Sequence, residues 1–335
     1  MNPLAPFGKL YGRVMDLRNL LYDRDVLKSY DLGARTISVG NLTTGGTGKT
    51  PLVALIAKQL IDNGETVCIL TRGYGRKDPR ARVLVSDGND ILADAETGGD
   101  EPVELALKLN GRAIIIADPN RVKAARWARE NFSVTAFILD DGFQHRRARR
   151  DLDIVCIDAT NPCGYGSVLP AGSLRESFDG LKRADAIVVT RTEQAEKTNE
   201  LGQRLRAKNP DATIFLARTQ ISRLVSIEDS DKAGAKGRFA AFTGIGNPAN
   251  FFTSLEGAGF DVVTTETFPD HHRFTQTDIS NLESKAKQAG ADGLVTTAKD
   301  AVKLKGFAFE LPCSVAIAET VINDIDGFKE LIISS

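Results

Sequence analysis

The glycine-rich string Gly45-Gly-Thr-Gly-Lys-Thr50 constrains the fold of this chain more than any other feature of its sequence. It follows a β-branched run, Thr36–Val39, and precedes an amphipathic pattern, Leu52–Asn63, whose helix we expect to begin at Pro51. A strand, a glycine-rich loop and a helix in this order place backbone N–H groups and a helix N-terminus around a phosphate. The string therefore predicts a P-loop.

The P-loop prediction gives every residue of the string a contact with nucleotide or metal. These residues are Gly45, Gly46, Thr47, Gly48, Lys49 and Thr50. The glycines let backbone amides converge on phosphate oxygens, Lys49 adds a full positive charge, and the Thr50 hydroxyl can ligate Mg²⁺. Thr43 stands where such loops usually carry their first glycine, which indicates a variant group of P-loop proteins.

Short β-branched runs alternate with helical patterns along the chain, which predicts an α/β fold of the P-loop NTPase type with a mostly parallel sheet. After Thr36–Val39 the predicted strands are Thr66–Leu70, Ala113–Ala117, Val134–Leu139, Ile154–Ile157, Ala186–Val189 and Thr213–Ala217. Further strands at Phe239–Phe242, Val262–Thr265, Leu294–Thr297 and Val315–Ala318 predict a second, smaller α/β domain. The expected divisions are residues 1–227, 228–322 and 323–335, with the polar stretch Glu228–Gly237 as the linker.

Composition excludes several classes of protein. The 335 residues carry 43 lysines and arginines against 44 acidic residues, so overall charge indicates no nucleic-acid partner. The four cysteines lie far apart and form no CxxC pair, which disfavours a zinc site or a disulfide framework. No apolar run is long enough to span a bilayer, and we see no signal peptide.

Polar clusters follow several predicted strands, where the ligands of parallel sheets bind. Asp140 and Asp141 end the run Val134–Leu139 and can hold Mg²⁺ beside the P-loop, although such a pair also caps helices. The loop Gly98-Gly-Asp-Glu-Pro102 carries two more carboxylates, with helix capping by Asp100 as its simpler interpretation. Histidines occur only at His145, His271 and His272, each within a charged cluster.

Two common subclasses of P-loop protein are disfavoured by particular positions. GTPases read guanine with Asn-Lys-x-Asp, and the nearest string here, Thr297-Ala-Lys-Asp300, has the wrong spacing. Partitioning ATPases place an extra lysine before the double glycine, where this chain has Thr44. A nucleotide-dependent switch with a protein partner and a kinase or ATP-dependent ligase of a soluble metabolite both stay open.

The N-terminal segment has apolar residues at helical spacing, with basic residues among them. The apolar residues are Leu4, Phe7, Leu10, Tyr11, Val14, Leu17 and Leu21, and the basic ones are Lys9, Arg13, Arg18 and Arg24. The pattern fits a helix lying on an anionic membrane and equally fits a helix packed on its own core.

The motifs together resemble the tetraacyldisaccharide 4'-kinases, the lipid A 4'-kinases of Gram-negative bacteria. The resemblance runs through Gly40–Pro51, Arg72–Gly75, Gly99–Pro102, Asp140–His145, Arg150–Ile154, Leu174–Glu176, Phe268–His271 and Thr296–Val302. Two positions depart from it: Thr44 replaces an aliphatic residue, and Ala298 replaces a glutamate. The second departure leaves the role of the loop from Thr296 to Asp300 open.

The resemblance implies a reaction and a place. The reaction is phosphorylation by ATP with Mg²⁺ of the 4'-hydroxyl of tetraacyldisaccharide 1-phosphate, by a peripheral enzyme on the cytoplasmic face of the inner membrane. No obligate protein partner is implied. The family is built from two α/β domains joined by two strands, here expected at Leu216–Ile227 and before Ile322, with the helix Ile325–Ile333 returning to the first domain.

The resemblance also implies roles for particular residues. Asp100, oriented by His271, resembles the family's catalytic pair, with Lys49 as the third catalytic residue. Glu176 joins Thr50 and Asp140 or Asp141 as a metal ligand. The expected contacts to sugar or phosphates are Arg72, Gln144, His145 and Arg175.

Overall fold

Twelve strands form one hydrogen-bonded sheet in the computed structural model of the chain, which describes residues 3–195, 198–229, 232–304 and 306–334. The strands are β1 Arg35–Asn41, β2 Val67–Thr71, β3 Val83–Asp87, β4 Ile114–Ala117, β5 Ala136–Asp140, β6 Leu152–Asp158, β7 Ala186–Thr190, β8 Thr213–Ser226, β9 Arg238–Thr243, β10 Asp261–Thr267, β11 Gly293–Thr297 and β12 Cys313–Ile322. Their order across the sheet is β10-β9-β11-β12-β8-β7-β6-β1-β5-β2-β4-β3.

Helices cover the faces of this sheet. They are α1 Ala5–Asp23, α2 Lys49–Asp62, α3 Ala95–Gly98, α4 Asp100–Lys108, α5 Arg121–Asn131, α6 Thr198–Lys208, α7 Pro248–Gly257, α8 Gln276–Gln288, α9 Ala298–Ala301 and α10 Ile325–Ser334. Short 3₁₀ turns occur at Gly164–Gly166, Phe178–Arg183 and Thr192–Gln194.

The strands from β7 to β4 run parallel, and their burial explains their sequences. Every residue of β2, β4 and β5 is buried, as expected for strands covered by helices on both faces. The α/β fold with a mostly parallel sheet is confirmed. All eleven predicted strands are present, while the edge strand β3, antiparallel to β4, escaped prediction because its sequence lacks a long apolar run.

Two long antiparallel strands join the two ends of the sheet. β8 pairs with β12 from Ala217 to Ser226, and only the start of β8 pairs with β7. The start of β12, at the other end of this ladder, pairs with β11. We call β1–β7 with their helices the P-loop region, and β9–β11 with α7–α9 the distal region. The two regions are therefore joined by a two-stranded ladder.

The C-terminal helix packs on the P-loop region. Phe328 and Ile332 of α10 are fully buried in a core cluster that includes Leu52 and Ile56 of α2. The Phe328 ring meets Phe215 of β8 edge-on, with 5.1 Å between centroids. The boundaries at residues 227 and 322 stay predictions, and the linker prediction includes residues 230 and 231, which lie outside the described residues.

The helix after the P-loop begins earlier than predicted. α2 starts at Lys49 and not at Pro51, which occupies its third position. The first-turn N–H groups of a helix have no intrahelical partner, so proline is tolerated there without marking the first residue.

Helix α1 turns its apolar side chains outward. Its buried residues are Gly8, Gly12 and Asn19, whereas Phe7 and Leu10 are 61% and 63% exposed. Gly8 is required because a Cβ there would lie 2.8 Å from both Ala171 Cβ and Val168 O. Across the described residues, no helix has the length and apolar character needed to cross a membrane.

Candidate active site

The P-loop lies at the carboxyl end of β1 with its outer side open. Gly45 and Gly48 have φ angles of +110° and +78°, which favour glycine. A Cβ built on Gly45 meets nothing within 4 Å, so the space beside the loop is free for a ligand. Backbone amides that border open space at a helix N-terminus suit a phosphate.

Neighbouring strands fix the shape of this loop. Asn41 at the end of β1 donates from Nδ2 to the Thr47 hydroxyl at 2.9 Å. Thr190, which ends β7, donates from its hydroxyl to the Thr47 carbonyl at 2.9 Å. Arg191 donates to the Gly46 carbonyl and pairs with Asp158. The loop is thus fastened at its middle while its amides stay available.

Asp140 and Asp141 face the start of α2. Lys49 Nζ lies 3.4 Å from Asp141 Oδ1, and Arg175 Nη1 lies 2.6 Å from Asp141 Oδ2. Burial raises the pKa of Asp141, but Lys49 and Arg175 outweigh it and hold that pKa below its usual range. Burial and the neighbouring Asp141 charge raise the pKa of Asp140. The pair therefore keeps its negative charge mainly on Asp141.

The donor set beside the loop fits Mg²⁺ bound together with phosphates. No group of three or more His, Cys, Asp or Glu side chains among the described residues could hold a metal by itself. Mg²⁺ in nucleotide sites needs only one or two carboxylates, the rest of its ligands being phosphates and water. Asp141 Oδ1 is buried without a hydrogen-bond partner and faces only the Lys49 ammonium at 3.4 Å, so it could ligate Mg²⁺ in place of that contact.

Glu176 is surrounded by hydrogen-bond donors. Its Oε2 accepts from Asn19 Nδ2 at 2.8 Å and from Arg183 Nη2 at 2.9 Å. Its Oε1 accepts from Gln144 Nε2 at 2.9 Å. These contacts join α1 to the loop after β5, so Glu176 positions its neighbours here, and its metal role stays a prediction.

The four predicted substrate contacts converge on one cavity of about 190 Å³. Its lining residues are Arg72, Tyr74, Pro119, Arg121, Asp141, Gln144, His145 and Arg175. The guanidiniums of Arg72, which is exposed, and of Arg175, which is partly buried, both line this cavity and favour an anion there. Burial, followed by Arg121 and Arg150, lowers the pKa of His145 to about 4, so this imidazole is neutral at pH 7.

Asp100 and His271 meet although 171 positions separate them. His271 Nδ1 lies 3.0 Å from Asp100 Oδ2, with Asp100 as the first residue of α4 and His271 on the loop after β10. His271 has a φ of +59°, a strained conformation that its backbone bond to the Gly244 carbonyl helps to hold. Burial raises the pKa of Asp100, but His271 and Lys303 bring it below the usual range.

Several residues of this site escaped the sequence analysis. Glu101 interacts electrostatically with Asp140 and Lys49 beside the P-loop and with Lys299 beside His271. Burial, followed by the Asp140 charge, raises the pKa of Glu101 to about 7. Lys299 and Lys303 contact the Asp100–His271 pair. Their spacing of four residues after a predicted strand was the available signal. Arg121 was visible only as the first residue of a helix after a strand.

Comparison with known proteins places these features in a family. The family described as Tetraacyldisaccharide-1-P 4'-kinase matches residues 2–334. A tetraacyldisaccharide 4'-kinase of Desulfotalea psychrophila is 38% identical over 98% of this chain and 95% of its own length. One of Halothermothrix orenii is 39% identical over 90% of this chain and 82% of its own. The crystal structure of LpxK from Aquifex aeolicus in complex with ATP superposes with a TM-score of 0.80 at 32% identity, covering 99% of this chain and 98% of that one.

Proposed function

The chain belongs to the tetraacyldisaccharide-1-P 4'-kinase family, and we propose which of its residues carry out each part of the reaction. It is a kinase of lipid A biosynthesis that phosphorylates the 4'-hydroxyl of tetraacyldisaccharide 1-phosphate with ATP and Mg²⁺. One observation supports the assignment of roles: Glu101, the neighbour of Asp100 in the chain, interacts electrostatically with Asp140 and Lys49 as well as with Lys299, which contacts His271.

The phosphate end consists of the P-loop and Lys49. Backbone amides from Gly45 to Thr50 hold the phosphate oxygens, and Lys49 moves from its present contact with Asp141 to the transferred phosphate. Thr50 with Asp140 or Asp141 holds Mg²⁺, which when bound neutralises charge on the phosphates. Arg175 stays paired with the Asp141 carboxylate at 2.6 Å and favours its charged form.

The acceptor end consists of Asp100 and His271. A sugar hydroxyl is a poor nucleophile at neutral pH, so a carboxylate that takes its proton accelerates transfer by about 10²–10⁴-fold. His271 meets Asp100 Oδ2, so we assign the hydroxyl proton to the other oxygen, Oδ1. Since Asp100 lies in the P-loop region and His271 in the distal region, this end is complete only where the two regions meet.

The cavity lined by Arg72, Gln144 and Arg175 receives the polar headgroup of the substrate. Arg72 and Arg175 offer guanidinium donors to phosphate or sugar oxygens, and Gln144 is held in place by Glu176. Neutral His145 contributes a hydrogen bond and no charge.

Helix α1 brings the site to the membrane in this proposal. The exposed side chains Phe7, Leu10, Val14 and Leu17 lie at helical spacing on its outer face. On the inner face Arg18 donates to the Gln144 carbonyl and Asn19 donates to Glu176. Acyl chains can therefore stay in an anionic bilayer while the headgroup enters the cavity. This arrangement supports peripheral binding at the cytoplasmic face of the inner membrane.

A transfer assay tests the proposed function. Protein, Mg·ATP and disaccharide 1-phosphate lipid should give a bisphosphorylated lipid, and the Lys49→Ala variant should not. A nucleotide-dependent switch would release inorganic phosphate without forming that lipid. ATP consumption by the wild-type protein with no lipid product would therefore reject the proposal.

A further inference from the structure

The helical turn after β11 supplies two lysines that flank the Asp100–His271 pair. Lys303 Nζ lies 3.3 Å from Asp100 Oδ2. Lys299 Nζ lies 3.3 Å from His271 Nε2, at the opposite end of the pair. The two lysines are four positions apart, and both side chains are largely buried, at 8% and 14% exposed. Lys299 lies in the loop from Thr296 to Asp300, which had no assigned role, and Lys303 follows that loop.

Lys303 is itself anchored by a buried carboxylate. Its Nζ lies 3.2 Å from Asp300 Oδ1, and Asp300 is completely buried. Asp300 Oδ2 accepts from the Thr243 hydroxyl at 2.7 Å and from the Gly244 amide at 2.9 Å. The Gly244 carbonyl in turn accepts from the His271 amide at 3.1 Å. Lysine and histidine thus share one rigid frame in the distal region, and both reach towards Asp100.

Lys299 determines which nitrogen of His271 carries the proton. Lys299 Nζ, at 3.3 Å, is closer to His271 Nε2 than Asp270 Oδ2 is, at 3.8 Å. An ammonium group can only donate, so this contact favours the neutral tautomer in which Nε2 accepts. The ring proton of the neutral imidazole then sits on Nδ1 and is donated to Asp100 Oδ2. Lys299 is held in this position by Asp270, whose Oδ1 lies 3.0 Å from its Nζ.

We propose that Lys299 and Lys303 are positioning residues for the transfer step, a proposal that rests on the proposed function. Lys303 holds Asp100 as a carboxylate ready to accept the hydroxyl proton. Lys299 holds His271 in the tautomer that orients that carboxylate. Both act through the pair, and neither is assigned a contact with the reacting atoms.

The charges around Asp100 give the direction of its response to pH. His271 and Lys303 face it from the distal region, with Asp270, Lys299 and Asp300 behind them, and Glu101 and Glu104 follow it on α4. Burial alone raises its pKa, and His271 and Lys303 oppose burial. Removing Lys303 weakens that opposition, so the Asp100 pKa rises. Activity that needs the carboxylate then appears only at higher pH.

The kcat–pH profile of Lys303→Met tests this role. The acid limb should move to higher pH by about one unit or more, because an opposite charge at this range lowers a carboxyl pKa by about 1–3 units. KM for ATP should stay unchanged. Lys303→Arg keeps the positive charge, so its acid limb should lie close to that of wild type. Lys285→Met is the matched control, since that lysine is 59% exposed on α8. An acid limb in Lys303→Met that coincides with wild type would overturn the proposal for Lys303.

Loss of Lys303 leaves the Asp300 carboxylate buried without its cation, which endangers folding. The double variant Lys303→Met with Asp300→Asn removes both charges and is the form to measure if the single variant does not fold. The same shift of the acid limb is expected, and an unshifted limb counts against the proposal.

A ¹⁵N NMR measurement tests Lys299 without any assay of activity. The chain has only three histidines, so His271→Asn identifies the His271 signals. The neutral ring should carry its proton on Nδ1 in wild type and lose this preference in Lys299→Met. A proton on Nε2 of His271 in wild type, or an unchanged tautomer in Lys299→Met, would overturn the role proposed for Lys299. These outcomes differ from a failure of the proposed function. In that case the wild-type protein would form no bisphosphorylated lipid in the transfer assay.

Discussion

The phosphate end and the acceptor end of this site are built in opposite ways. The phosphate end takes Asn41, Thr47, Lys49, Asp141 and Thr190 from strands of one parallel sheet and from the loop and helix that follow them. The acceptor end needs Asp100 from the P-loop region and a histidine with two lysines from the distal region.

This difference teaches how the enzyme can couple binding to catalysis. The proposed phosphate end lies wholly within the P-loop region, so we expect it to bind nucleotide without the distal region. The acceptor end forms only where the distal region contacts α4. The chain connects the two regions through the two-stranded ladder of β8 and β12. A base assembled only on approach of the regions limits loss of ATP to water.

The largest effect should come from breaking the phosphate end. Lys49→Ala should lower kcat by about 10³-fold or more, since Lys49 is proposed to stabilise charge on the transferred phosphate. Lys58→Ala, an exposed lysine on the same helix, should have no effect. Both variants should unfold at the temperature of wild type. Normal turnover in folded Lys49→Ala protein would remove the phosphate role of this loop.

Substitutions at the acceptor end should lower kcat less than Lys49→Ala does, and the effects of two such substitutions should not add. The structure excludes helix capping by Asp100, since Gly99 is the N-cap of α4 and no side chain caps it. Asp100→Asn keeps the size of the side chain but cannot take the proton, so kcat should fall by about 10²–10⁴-fold with little change in ATP affinity. Adding His271→Ala should cost scarcely more, because residues that act as a unit do not add. Asp94→Asn, which alters the exposed cap of α3, is the control. Near-wild-type turnover of Asp100→Asn would show that Asp100 is not the catalytic base.

A stability measurement sharpens the division between the regions. Phe328→Ala should lower the free energy of unfolding by about 3–5 kcal/mol, because this buried ring from the C-terminal helix packs against Phe215. Ile333→Ala on the same helix, at an exposed position, should cost little. Urea denaturation of both variants measures these changes in the free energy of unfolding. A loss below about 1 kcal/mol would mean that α10 does not belong to the core of the P-loop region.

The smallest effect concerns the membrane, and it should leave both ends of the site intact. Phe7→Asp with Leu10→Asp should weaken binding to anionic vesicles about tenfold or more, since each buried side chain is worth about 1.5–3 kcal/mol. Turnover with detergent-dispersed substrate should change less. Leu92→Asp, at a residue 54% exposed away from α1, is the control. Equal co-sedimentation of variant and wild type would contradict a membrane role for α1.

Local sequence determined most of the fold and the phosphate end of the site. A strand, a glycine string and a helix within about thirty residues leave the chain few alternatives, because backbone amides, proline and glycine act over short distances. The buried parallel strands β2, β4 and β5 were equally visible, since they are apolar throughout. The start of α2 was misjudged because the first turn of a helix tolerates proline at several positions.

Tertiary structure decided the rest. Whether the apolar face of α1 packs inward or lies exposed depended on Gly8 meeting Ala171, a contact that no pattern within the helix predicts. Two of the three partners named for Glu176 come from α1 and from the loop after β5, far away in the chain. Lys299 and Lys303 gained a role only because folding placed them beside Asp100 and His271. Periodicity and glycine strings describe neighbours along the chain, whereas charges and hydrogen bonds act between neighbours in space.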